Sequence, residues 1–232
     1  MRDPYLYEDV AVLKNLANIK DNEKLRQMEG DLTVIGMAVV YAKKYDKFNI
    51  NTLCDIHKTI FGGLYEWAGE FRTIQMTKSE KVLGDDTVRY AEPSQIAKQL
   101  KDIFKEISKL KPNMPKQELV FKLVRITSTI WHIHPFREGN TRTVVAFSVL
   151  LADYLDIDLD YNLFVENASY VRNALVWCTQ GIYSIYEYLE RIYYDAASIK
   201  QGEISKNQNY EFVGEYKISD YKEQPHIYLH NE

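Results

Sequence analysis

The sequence predicts an all-α protein, a helical bundle carrying one small β-hairpin and followed by a short β-leaning C-terminal appendage. Three observations lead there. Apolar residues recur every three and four positions over most of residues 1–199, the period of one helix face. Only residues 71–90 depart from it, with Thr, Ile and Val split by Gly84, Asp85 and Asp86 between two short extended stretches. From Lys200 the composition turns polar before an aromatic run over 210–218, which marks 200–232 as a tail or small hairpin docked on the helical domain.

Asp21 opens a long amphipathic helix, with Leu25, Met28, Leu32, Ile35, Val39 and Val40 on its periodic positions as far as Lys43 and Lys44. A second helix spans 49–61, and Gly62 and Gly63 stop it; His57 on it reads as a packed or surface residue. The flap at 71–90 follows. Pro93 and Ser94 start a helix to about Leu110, and Pro112 to Pro115 separate it from the next. That helix, over 117–131, carries Leu119, Val120, Leu123, Ile126 and Ile130 and ends before Pro135. After a loop at 134–142, apolar patterns predict helices over 141–155, 162–179 and 182–199.

A chain of 232 residues, 46% hydrophobic and 27% charged, has the composition of one globular domain with a sizeable core. A net charge of −4 gives no footprint for a nucleic-acid backbone, so DNA and RNA are not expected partners. No apolar run reaches the roughly 18 residues of a membrane span, and the first 20 residues lack the pattern of a signal peptide. A cytoplasmic protein is expected, with later delivery elsewhere as an effector left open. Cys54 and Cys178 show no metal-ligand spacing and read as reduced, buried thiols. The 18 tyrosines fall mostly at helical spacing and are assigned to packing.

Chemistry concentrates in His134-Pro-Phe-Arg-Glu-Gly-Asn-Thr-Arg142. Gly139, Asn140 and Thr141 stand where a new helix must begin, and such an end gathers free N–H donors and the positive pole of the helix dipole. Arg142 adds a fixed cation, so the segment reads as a phosphate cradle. His134 supplies a base that exchanges protons near neutral pH, and Glu138 a hard oxygen suited to magnesium. Phe136 would bury the underside of the loop. A metal-dependent hydrolase using His132, His134 and Glu138 is the rival, with the two histidines on opposing sides of a helix end.

The ordered combination resembles the Fic family, whose motif reads H-x-F-x-(D/E)-G-N-G-R-x-x-R. The departures are Thr141, where the family has Gly, and Val145, where it has a second Arg. Residues 64–72 are similar to the segment that precedes the family's target-positioning hairpin, and residues 3–21 to the start of Fic toxins. The resemblance implies a Fic-type helical bundle and a protein adenylyltransferase, with ATP as co-substrate and Mg2+ as cofactor. AMP would pass to a Ser, Thr or Tyr hydroxyl of a target protein, with self-AMPylation. It assigns His134 as general base, Glu138 to the metal, and Gly139, Asn140, Thr141 and Arg142 to the nucleotide phosphates. Thr73, Ile74, Gln75 and Lys78 are candidates for the edge that holds the target. Transfer of another phosphate-linked group, a kinase and a non-catalytic binding module remain as alternatives, the last suggested by Val145.

Control is the remaining expectation. Family members are often inhibited by a helix bearing (S/T)-x-x-x-E-(G/N), whose Glu pairs with the second motif Arg, and a separate antitoxin-like partner is one source of such a helix. Residues 25–30 and 219–224 are imperfect versions, around Glu29 and Glu223. Thr141 is tolerable if its φ is negative. Because Val145 offers no charge, weak Glu–Arg inhibition is expected, with little change on replacing Glu29 or Glu223 by Gly.

Overall fold

The computed structural model describes residues 3–199. The expected hairpin at 200–232, with Glu223, lies outside the described residues. Eight α-helices and a two-stranded antiparallel sheet follow one another in the order α1 (Asn22–Ala42), α2 (Ile50–Phe61), β1 (Thr77–Glu80), β2 (Asp86–Arg89), α3 (Pro93–Ile107), α4 (Lys116–Ile133), α5 (Asn140–Tyr154), α6 (Tyr161–Glu166), α7 (Ala168–Trp177) and α8 (Glu187–Ala196). The all-α class with a small hairpin is what the periodicities predict.

The helix starts are written in local chemistry. Asp21 accepts from the N–H groups of Glu23 and Lys24, and Asn49 accepts from that of Thr52 at 3.2 Å. Each cap contributes about 1 kcal/mol. The hairpin pairs Thr77 with Arg89 and Glu80 with Asp86. Its turn bends through Gly84 and Asp85, both with positive φ. Alternation turns Glu80 and Val88 inward and leaves Thr77 and Ser79 exposed.

Helix α5 is the axis of the bundle. Val144 to Ser148 and Leu150 to Ala152 are buried on all sides of it, as expected of a helix apolar all round. Helices α4, α2 and α1 pack on it, and α3 and α8 pack on α4. The fully buried Tyr193 ties three helices together, donating to Ser148 Oγ at 2.8 Å, with Thr127 Oγ1 3.1 Å away. Gly36 lets α1 approach α2 closely, since a Cβ there would lie 2.7 Å from the Cα of Ile60. Cys178 is buried and Cys54 half-buried, both as free thiols.

Two predicted helices are shorter than their apolar patterns. The stretch 162–179 divides into α6 and α7 at Asn167, whose side-chain amide donates to Leu163 O at 2.8 Å and competes with the helical ladder. The stretch 182–199 opens on a short 3-10 turn, Gly181–Tyr183, and becomes α-helical only at Glu187. Gly181 adopts φ 60°, and Ile182 and Tyr183, which fit a helical face in the sequence, point to solvent at 92% and 78% exposure.

Candidate active site

The end of α4, the start of α5 and the segment leading into the hairpin converge on residues 134–139. His134 ends α4 in left-handed backbone, φ 53° and ψ 61°, a conformation for which His is one of the few suitable non-glycine residues. The turn sends its imidazole into a closed slot. The ring stacks on Tyr90 at 3.7 Å and 15°, with Trp131 edge-on at 5.5 Å. Its Nδ1 lies 3.2 Å from Trp131 O. A carbonyl can only accept, so Nδ1 bears the proton and Nε2 keeps its lone pair. Burial holds the imidazole pKa well below 6.5, with Lys78, Arg72 and Arg172 pushing the same way against the Trp131 carbonyl. His134 is therefore a neutral base at neutral pH. This corrects the expectation that it titrates there.

The loop after it is locked from within. Phe136 is fully buried and stacks on His57 at 3.8 Å, as expected of the residue that anchors the underside. The Asn140 amide spans the turn, accepting from Phe136 N at 2.9 Å and donating to Phe136 O at 2.8 Å. Gly139 N donates to Glu138 Oε1 at 3.0 Å. The first intrahelical bond of α5 is Thr143 N to Gly139 O, which leaves the N–H groups of Asn140, Thr141 and Arg142 at the open end. The positive φ, 77°, falls on Gly139, where a Cβ would also stand 2.2 Å from the Phe61 ring. Thr141 is an ordinary helical residue without positive φ, so the Thr for Gly exchange carries no backbone strain. Its Oγ1 accepts from Trp131 Nε1 at 2.9 Å.

Arg142 lies over the Phe61 ring at 4.7 Å and pairs with Glu29 of α1. The other Glu29 oxygen accepts from Tyr65 OH, and Arg142 also donates to Thr33 Oγ1 at 3.3 Å. Glu29 thus reaches the cradle although the residue at 145 is not Arg. Its Arg142 and Tyr65 bonds argue against the expectation that replacing it changes little. Beside this pair is a cavity of about 540 Å³, walled by Thr141, Arg142 and Val145 together with Met37, Tyr41 and Phe164.

Of the four residues expected on the flap edge, Lys78 lies in β1 and acts on His134, while the other three precede the strand. Thr73 N–H donates to Tyr5 OH at 3.1 Å, Ile74 O accepts from Arg72, and Gln75 Nε2 donates to Tyr90 O at 2.9 Å. The opening segment is a strap over the loop, fixed also by the Asp3–Arg137 ion pair at 2.7 Å. His132 faces the flap, with Nε2 3.2 Å from Arg89 O. Among the described residues no three His, Cys, Asp or Glu side chains converge, so the rival hydrolase has no ligand set. One carboxylate beside a phosphate cradle instead suits magnesium, which relies on few protein ligands and on substrate phosphates.

Residues 47–152 match the model of the Fic/DOC family. Over that stretch, a little under half of the chain, the sequence is similar to the Fic/DOC family. The Fic resemblance extends to solved structures: the BepC protein of Bartonella tribocorum with bound AMPPNP superposes at a TM-score of 0.71 and 24% identity, over 83% of this chain and 95% of that one. Among curated relatives, protein adenylyltransferase VbhT of Bartonella schoenbuchensis is 28% identical across 69% of this chain. The probable protein adenylyltransferase y4lH of Sinorhizobium fredii is also 28% identical, covering 69% of this chain and 80% of its own. The match spans only 33% of VbhT.

Two residues that hold this site together were assigned no role from the sequence. Arg72 is 2% exposed and donates to Ile74 O, Ala91 O, His134 O and Ile133 O, while its own N–H bonds Pro135 O at 2.8 Å. It joins both roots of the flap to the turn at His134. His57 accepts from Gly69 N at 2.8 Å, so its Nε2 carries the proton and donates to Glu138 O at 3.0 Å. No periodicity distinguishes such a histidine from an ordinary core residue.

Burial lowers the His57 pKa to about 4, with Arg142 adding to the shift and the Glu138 carbonyl and carboxylate opposing it. The unfolded chain therefore takes up this proton first as pH falls. Stability present above pH 6.5 should decline progressively towards pH 4, by on the order of 3 kcal/mol from this group. His132 and His134 shift in the same direction. Urea midpoints measured across that window should fall; a flat profile would contradict a neutral buried His57. No helix of the described residues is long and apolar enough to cross a membrane.

Proposed function

We propose that this chain transfers AMP from ATP to a Ser, Thr or Tyr hydroxyl of a target protein, modifying itself as well. The observation that carries the reading is the neutral His134 with Nε2 unprotonated, fixed one short loop before the open end of α5. Nε2 takes the proton of the incoming hydroxyl as its oxygen attacks the α-phosphorus. The bond from that phosphorus to the bridging oxygen breaks, and pyrophosphate leaves. The N–H groups of Asn140, Thr141 and Arg142 and the Arg142 guanidinium stabilise the phosphate charge. Glu138 would hold a magnesium ion, which would supply neutralisation of the phosphate charge. Lys78 and the flap guide the target segment. The adenylyltransferase names of the relatives support the same reading.

ATP labelled separately at the α and γ positions tests it. Protein labelled from the α position is expected; label from γ alone indicates a kinase, and no label a binding module. A second reading, transfer of a different phosphate-linked group, draws support from the cavity beside Arg142, which has Val145 where a second Arg would meet a γ-phosphate.

Glu29 restrains the reaction in this proposal, because it neutralises the cation that the phosphates need. The charge-assisted bond from Arg142 to Glu29, worth roughly 1.5–3 kcal/mol, must be given up before Arg142 turns to the nucleotide, while Tyr65 goes on holding the other Glu29 oxygen. Glu29→Ala should raise α-label incorporation more than about tenfold, equivalent to ~1.4 kcal/mol. Unchanged incorporation would show that the pair imposes no restraint.

A further inference from the structure

Tyr90 closes the hairpin against the active site. Its ring covers the face of His134 at 3.7 Å and meets Trp131 edge-on at 5.7 Å. The side chain is 2% exposed, yet its hydroxyl has no hydrogen-bond partner among the described residues. Burying a hydroxyl unpaired is costly, and a phenylalanine would make the same stack without that cost. An incoming polar group would supply the partner that the described residues do not.

The surroundings indicate the kind of group that would satisfy it. Burial keeps the phenol protonated by raising its pKa, and the charges that act on it are those of Glu80, Arg172, Glu138 and Arg72. Glu80 comes from the flap with its side chain 3% exposed, and it holds Arg172 of α7 through contacts of 2.8 and 2.9 Å. A phosphate would be repelled by a carboxylate at this position, and it is already served by α5 and Arg142. A sugar hydroxyl donates and accepts together, matching a permanent O–H donor, a guanidinium and a carboxylate.

We propose that Tyr90, with Glu80 and Arg172, forms the subsite for the ribose of the nucleotide, the Tyr90 O–H donating to a ribose oxygen. This rests on the nucleotide-transfer reading. The subsite sits against His134, where the sugar attached to the reacting α-phosphate must lie. For Glu80 and Arg172 to engage the same diol, it must replace part of the ion pair that they make with each other.

Titration calorimetry of wild type and Tyr90→Phe with ADP, 2′-deoxyADP and 3′-deoxyADP tests the assignment. Tyr90→Phe keeps the stack and should melt no lower than wild type. It should bind ADP about three- to tenfold more weakly, the range of one neutral hydrogen bond. Wild type should lose a similar factor with one of the two deoxy nucleotides, and the variant should lose nothing further with that one. Equal ADP affinity in the two proteins, or the full deoxy loss persisting in Tyr90→Phe, would overturn the ribose subsite while leaving nucleotide transfer standing. Failure of wild type to bind either ADP or ATP would overturn the nucleotide reading, and this subsite with it.

Discussion

Arg72→Met is expected to remove at least about 3 kcal/mol of stability and to abolish transfer in whatever protein still folds. The guanidinium is buried and is held by carbonyl oxygens, with no carboxylate among its hydrogen-bond partners. Methionine keeps much of the volume, but it leaves the carbonyls of Ile74, Ala91, Ile133 and His134 without this donor. Each buried acceptor so orphaned costs about 1–3 kcal/mol, less whatever relaxation or water can recover. The acceptors belong to both roots of the flap and to the left-handed turn at His134, so the loss also frees the proposed base and the flap from each other. Arg72→Lys tests the geometry separately. One ammonium cannot reproduce a planar fork serving carbonyls in several directions, so it should recover only part of the stability. A midpoint of chemical denaturation within experimental error of wild type for Arg72→Met would refute the clamp.

The contrast between Arg72 and the 134–142 loop shows what a sequence makes visible. The helices were legible because burial imposes a period, and the loop because Pro135, Gly139 and Asn140 are backbone punctuation beside reactive side chains. Arg72 and His57 act through main-chain partners distant in sequence, Arg72 binding the carbonyls of Ile133 and His134 and His57 that of Glu138. A carbonyl has no residue identity to read. The Glu29–Arg142 pair was half visible: the candidate glutamate could be named, but its reach across 113 positions depends on the α1 crossing that Gly36 permits. The break at Asn167 and the late start of α8 were hidden for the opposite reason. Their apolar residues keep the helical period, while one side-chain amide and one left-handed glycine override it.

His134→Asn should lower the proposed AMP transfer by about 10²–10⁴-fold, the usual contribution of a general base. Asparagine is the better probe than alanine because the backbone at 134 is left-handed, where alanine is strained and asparagine is tolerated. Either variant gives up the stack on Tyr90, so both should lose some stability, with alanine losing more. The rest of the loop keeps its anchors in Phe136 and the Asn140 bridge. The base role also makes a pH prediction whose sign is set by burial. The proposed transfer requires Nε2 unprotonated, and the imidazole pKa is held well below 6.5. The acid limb of the rate profile should accordingly lie below the ordinary histidine range, with no fall in rate on passing from pH 7.5 to 6.5. Lys78 contributes to that depression, so Lys78→Gln should move the acid limb upward. A limb centred at 6.5 in wild type and unmoved in Lys78→Gln, or near wild-type single-turnover labelling by His134→Asn, would remove His134 from the chemistry.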